Sequence, residues 1–231
     1  MGSDDLFRKL REKSNKNNRR DRTKKESYDK FLIVCEDTVS GYQYLSDAIK
    51  YYKISNANVS IVGLGQSPLN IVDHALEKFE AEGKSHRSDF DRVYCVFDRD
   101  EHTNFFHAIK KLESLNKKLN AEIFFAITSD PCFEIWLLLH FRYTSKLYER
   151  TAKKSAANIV QDDLKKILHS YSKSSKTAFN DTIVLLDIAI KNALLLRQYC
   201  EDNSAITPKT DMHVIMSFIK EQNEKIYNNR K

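Results

Sequence analysis

Residues Val93–His102 read VYCVFDRDEH: five strand-forming residues run without a break into two carboxylates one position apart. A β-branched and aromatic run that is apolar at every position suits a strand covered on both faces, as in a parallel sheet. Open α/β sheets place their ligands at the carboxyl ends of such strands. Alternate side chains on an extended strand share a side, so Asp98 and Asp100 converge while Arg99 points away. Two hard oxygen donors there suit Mg²⁺ or Mn²⁺. The same residues equally suit a strand ending at Asp98, with Asp100 capping a helix that begins near Thr103 or Asn104.

Working outward, three more runs share this character. KFLIVC at Lys30–Cys35 stops at Glu36, NVSIV at Asn58–Val62 stops at Gly63 and Gly65, and EIFFAI at Glu122–Ile127 is broken by Thr128, Ser129, Asp130 and Pro131. Helical spacing of apolar residues follows each run, over about 41–53, 67–82 and 103–119, and in CFEIWLLLHF after Pro131. Ser67 and Pro68 supply a cap and a first-turn proline for the second of these helices. GLGQS lacks the spacing of a phosphate-binding glycine loop and reads more simply as a tight turn. Strand and helix alternating with short links predict a parallel sheet covered on both faces, with all four strand ends on one edge.

Beyond about Tyr143 the pattern is helical only, near 155–169, 178–201 and 210–227, and TIVLLDIAIKNALLL at 182–196 is apolar enough to be read as buried. The expected organisation is a flexible basic arm over 1–29, an α/β domain over 30–143 of four mostly parallel strands, and a helical C-terminal region over 144–231 packed on the core.

The net charge of +6 is unevenly placed. Residues 1–25 carry ten Lys or Arg against four Asp or Glu, which accounts for the whole excess. Such an arm, with Arg19, Arg20, Arg22, Lys24 and Lys25, suits a nucleic-acid backbone, whose contacted phosphates release counterions, and equally a solubilising tail. Lys173 and Lys176, in the link SYSKSSK, are further phosphate contacts to test. No run of the length a bilayer requires is present, and no signal-type apolar segment opens the chain, so a cytoplasmic protein is expected. Cys35, Cys95, Cys132 and Cys200 lie far apart and show neither zinc-site nor disulfide spacing.

Taken together, the strand ends bring acids to one edge: Glu36 after the first strand, Asp98 and Asp100 after the third, Asp130 after the fourth. Like charges so gathered raise one another's pKa unless a divalent cation neutralises them. Glu36, Asp98 and Asp100 are therefore the candidate catalytic and metal-binding set, with Glu36 either a ligand or the general acid/base. An acid after strand one and a DxD after strand three resemble the Toprim domain. The longer strings FLIVCE, VYCVFDRDEH, SDPCFEIWLLLHF and PKTDMH, spread from Phe31 to His213, resemble the signature blocks of the RloB-like family, bacterial proteins of restriction and phage-defence loci.

That resemblance implies a Toprim-type α/β fold and a Mg²⁺- or Mn²⁺-dependent nuclease acting on RNA or DNA, working with a neighbouring ATPase of the AAA or ABC type. A homo-oligomer is compatible with it. The chain departs from the family where EGxxTE is expected and EDTVSG is found: Asp37 replaces the glycine and Gly41 the second acid, so that either Asp37 serves as a substitute ligand or the site binds a metal less firmly than its relatives do. Asp130 stands where Asn is usual. A non-catalytic nucleic-acid-binding, sensor or assembly subunit is the alternative. Among the remaining block residues, Glu134 suits either the site or the first turn of its own helix, where an acid meets the helix dipole favourably. His140 and His213 suit hydrogen-bonded core positions, and Lys209, Asp211 and His213 suit either a phosphate-facing cluster or the cap of the last helix.

Overall fold

The computed structural model describes residues 29–55, 59–81, 90–99, 103–205 and 207–228. The arginines and lysines of the basic arm, and Asp100 of the DxD, lie outside the described residues. The four apolar runs form β1 (Phe31–Cys35), β2 (Val59–Gly63), β3 (Arg92–Asp98) and β4 (Phe124–Asp130), all parallel to their neighbours. Between them lie α1 (Ser40–Tyr51), α2 (Pro68–Ala81) and α3 (Phe105–Leu119).

One expectation is corrected here: among the described residues the sheet has five strands and is mixed. β5 (Lys209–Thr210) pairs antiparallel with β4, completing the order β2-β1-β3-β4-β5. This pairing also explains why Thr128, Ser129 and Asp130 continue β4 rather than break it. Thr210 lies opposite Ser129 and Lys209 opposite Asp130, so the polar end of β4 has a partner strand.

Alternation along the strands divides the interior in two. Phe31, Ile33, Cys35, Tyr94, Val96 and Ile127 face α1, α4 (Glu134–Phe141), α5 (Ala156–Lys165), α7 (Leu186–Asp202) and α8 (Met212–Asn228). Leu32, Val34, Val93, Cys95, Phe97 and Phe124 face α2 and α3. The helices beyond residue 143 thus share one core with the sheet, and α6 (Ala178–Thr182) and a 3₁₀ turn at Ile183–Leu185 precede α7. Among the described residues no helix is long and apolar enough to cross a membrane.

α4 has seven consecutive buried residues, Glu134 to His140, and is enclosed on every side. Tyr44 of α1 lies edge-on to Phe133, Trp136, His140 and Phe179, joining α1, α4 and α6. α7 departs from the sequence reading: Ala189, Ala193 and Leu196 are buried, whereas Val184 just before it and Ile188, Leu194 and Leu195 within it are exposed. Its apolar residues cover more of the helix than the sheet-facing side can bury.

Asn116 pins the start of β4. Its Nδ2 donates to the Phe124 carbonyl at 2.8 Å, and its Oδ1 accepts from Ile123 N at 3.0 Å and Phe124 N at 2.8 Å. Asn120, in the left-handed region at φ 49°, ends α3 just beyond it. Asn116→Ala removes all three bonds and is expected to cost about 2 kcal/mol, read as a lowered denaturation midpoint.

Candidate active site

Each acid of the site is placed by backbone. Glu36 follows β1, and its N–H donates to the Val96 carbonyl at 2.8 Å, which extends the ladder and sets the residue beside β3. Its Oε2 accepts from Asp98 N at 2.9 Å. Asp98 Oδ2 in turn accepts from Phe133 N at 3.1 Å, tying the end of β3 to the residue before α4. Glu134, the first residue of α4, is 2% exposed, and its Oε1 accepts from Gln161 Nε2 at 2.9 Å and Tyr171 Oη at 2.8 Å.

Glu36, Asp98 and Glu134 line one cavity of about 320 Å³ at the carboxyl edge of the sheet. Asp37, Ser40, Ser67, Ser129 and Lys173 also line it. Burial pushes the Asp98 carboxyl well above the usual carboxylate range, and the neighbouring charges of Glu134, Glu36 and Asp37 push it further, against the opposing Phe133 N–H. Tyr171 is raised by burial and by Glu134. The cavity therefore concentrates negative charge in a partly desolvated place, the condition that a bound cation relieves.

The donor set is all carboxylate, the chemistry of Mg²⁺ and Mn²⁺ sites. Among the described residues, however, no group of three acids, histidines or cysteines is disposed to hold a metal ion. Glu36 and Asp98 stand together, and Glu134 joins them on the cavity wall.

Asp37, also on the cavity wall, is engaged by backbone N–H groups. Its Oδ2 accepts from Ser40 N at 2.7 Å and Gly41 N at 3.1 Å, and its Oδ1 accepts from Tyr42 N at 3.1 Å, so it satisfies the start of α1. Gly63 supports this turn by close approach: a Cβ there would lie 2.7 Å from the Asp37 carbonyl oxygen. Gly65, at φ +63°, donates its N–H to the Glu36 carbonyl at 2.6 Å. The GLGQS glycines thus shape the turn beside the acids, and Gln66 and Ser67 reach the cavity wall.

Asp130 does not join the acids. Alternation turns it and Arg99 away from Asp98, and the two form an ion pair at 2.6 Å. Lys209 and His213 also lie off the cavity. Lys209 is 3.9 Å from Asp211, whose Oδ2 accepts from Thr128 Oγ1 at 2.7 Å. Asp211 therefore braces β4, and the Met212 N–H at the head of α8 goes to Thr210 Oγ1 at 3.3 Å. His213 is buried against the Thr210 carbonyl at 3.2 Å, and burial lowers its pKa. Lys176 is exposed and off the cavity, whereas Lys173 of the same link reaches it.

His140 is a core histidine. Its Nδ1 lies 2.9 Å from the Trp136 carbonyl, which makes Nδ1 the donor and leaves Nε2 to accept from Tyr44 Oη at 3.2 Å. Burial pushes its pKa down to about 4. The unfolded chain binds this proton near pH 6.5 and the folded chain does not, so the contribution is intact above about 6.5 and lost as pH falls toward 4. The loss is expected to reach roughly 3 kcal/mol, and His140→Gln should flatten the wild-type slope of unfolding free energy between pH 7 and 4.

Gln161 and Tyr171, which orient Glu134, escaped the sequence reading. A buried acid in an apolar helix requires donors, but the residues that supply them lie 27 and 37 positions away.

Searches of curated proteins and of solved structures returned no match. The family model for RloB-like protein matches residues 31–219, from the first residue of β1 into α8 and across the whole cavity lining. The chain belongs to the RloB-like family.

Proposed function

We propose that this protein is a Mg²⁺- or Mn²⁺-dependent phosphodiesterase of Toprim type that cleaves RNA or DNA in bacterial anti-phage defence, under the control of a partner ATPase. The observation that carries the reading is the meeting of Glu36, Asp98 and Glu134, from three separate elements, on one cavity with Lys173 at its wall. An acid after the first strand and another after the third, at the carboxyl edge of parallel strands, supports the Toprim comparison.

In this reading Glu36 and Asp98 would hold the cation; Asp100, the second acid of the DxD, is the further candidate ligand in the sequence. A divalent cation bound there supplies charge neutralisation at the phosphoryl oxygens and lowers the pKa of a nucleophilic water. The protein's own groups do the rest. Glu134, its Oε1 fixed by Tyr171 and Gln161, presents an oriented carboxylate that accepts a proton from the nucleophile. Lys173 offsets the charge of the incoming phosphate. The basic arm, with Arg19, Arg20, Arg22, Lys24 and Lys25, adds backbone attraction in the cytoplasm, where the nucleic acid lies.

The test is cleavage of mixed RNA and DNA substrates with Mg²⁺, Mn²⁺ or EDTA, with and without the ATPase encoded beside it. Metal-dependent products support the reading, and none under any of these conditions sinks it. The engagement of Asp37 with three backbone N–H groups favours a second reading, a binding or sensor subunit in which the altered turn serves the helix and not the metal. Nucleic-acid binding without metal binding or cleavage distinguishes it.

A further inference from the structure

α7 carries an apolar stripe on a side that does not meet the core. Val184, in the 3₁₀ turn before it, is 86% exposed, and Ile188, Leu194, Leu195 and Tyr199 are each 38–51% exposed. Ala189, Ala193, Leu196 and Cys200 fill the buried side, so packing of the helix onto the core does not draw on the stripe. The buried side is also anchored, because Asn192 Nδ2 donates to the Leu139 carbonyl of α4 at 2.8 Å. Single exposed apolar residues are ordinary, but a stripe of five, on the order of 400 Å² of apolar surface, reaches the size that marks an interaction site.

The spacing of the stripe identifies what fits it. Val184 and Ile188 are four positions apart, Leu195 and Tyr199 are four apart, and seven separate the inner two. Such steps keep side chains on one face of a helix. They also read the same from either end, about a midpoint between Lys191 and Asn192. A stripe with that property matches an antiparallel copy of itself, as a two-fold interface requires. Asp187, Gln198 and Asp202 are exposed beside it, the polar rim of such a patch. With two basic and three acidic residues from Leu186 to Asp202, the helix has no positive excess to draw it to an anionic membrane.

We propose that α7 is a homodimer interface: two copies of this chain pair antiparallel along it, across a two-fold axis between Lys191 and Asn192, with Val184 against Tyr199 and Ile188 against Leu195 of the second copy. The apolar area of the stripe is what the centre of a standard interface needs, since such an interface covers roughly 800 Å² per partner and is little more than half apolar. Lys191 faces its own copy near the axis, its stem over the apolar surface and its ammonium in water. None of the residues lining the acidic cavity lies on α7, so the pairing does not draw on that site. It does back α4, the helix that begins with Glu134, through the Asn192 bond to Leu139.

The test is sedimentation of the full chain from about 1 to about 100 μM, a range in which interfaces of this size form. Wild type is expected to be dimeric by the top of the range. Leu195→Lys changes an exposed residue and leaves the core untouched. It is expected to weaken the dimer about a hundredfold, since each substitution enters a two-fold interface twice. Leu119→Lys, at an exposed apolar residue ending α3, should leave the dimer unchanged. The register is read with introduced thiols, the four native cysteines being buried. On mild oxidation, Ile188→Cys mixed with Leu195→Cys should give a disulfide-linked pair, and neither variant alone should link. A wild type monomeric at the highest concentration, a dimer that survives Leu195→Lys or is lost equally in Leu119→Lys, or links only between like cysteines would each overturn the pairing.

Discussion

Asp98→Asn is expected to abolish metal-dependent cleavage while leaving the protein folded, and to raise its melting temperature when no metal is present. The amide is isosteric and retains an oxygen to accept the Phe133 N–H. It removes a charge that burial, Glu134 and Glu36 all disfavour. Without a cation the substitution therefore relieves repulsion. With a cation the carboxylate is what is missing, and losing roughly 4 kcal/mol of transition-state stabilisation lowers the rate about a thousandfold. Thermal denaturation with and without Mg²⁺ separates the two effects. Wild type should gain stability on adding Mg²⁺, and Asp98→Asn should not. If the variant cleaves as wild type does, Asp98 has no part in the chemistry.

Trp136→Ala should be the most damaging single substitution in the core, at about 3–5 kcal/mol in denaturant unfolding. Trp136 is fully buried, and its ring lies edge-on to His140 at 4.9 Å and to Tyr44 at 6.4 Å between centroids. The enclosed helix α4 offers no side from which solvent or a surface residue can fill the space. The effect reaches the site as well, because Glu134 begins the same helix and Phe133 just before it holds Asp98. Cleavage should fall even where the variant remains folded. Leu138→Met, which conserves volume on the same helix, should cost less than about 1.5 kcal/mol and leave cleavage unchanged.

The four parallel strands were legible because each is a continuous apolar run ending in an acid, a glycine or a polar cluster, with helical spacing between. β5 was not, since two residues, Lys209 and Thr210, carry no periodicity and are strand only because β4 lies beside them. Without that partner in view, Thr128 to Asp130 read as a break. The apolar run in α7 was legible as helix but not as half-exposed, because amphipathic contrast is weak where nearly every residue is apolar. At the site, Glu36 and Asp98 could be paired from strand order alone. The capping role of Asp37 was not legible, because its bonds skip Val39 and reach residues three to five positions on. Glu134 and Lys173 were both noticed, but only the folded chain brings them to one wall.

β5 also bears on how the protein is made. Ser129 and Thr210 pair across 81 positions, so β4 is synthesised well before the strand that covers its outer side. Until then its Thr128–Asp130 end presents unpaired backbone groups, an open template for another chain. Closing that seam is a late, long-range step, and long-range pairings slow folding. A nascent chain stalled before residue 209 should be prone to associate through this edge, and an added peptide bearing the Pro208–His213 segment should suppress the association.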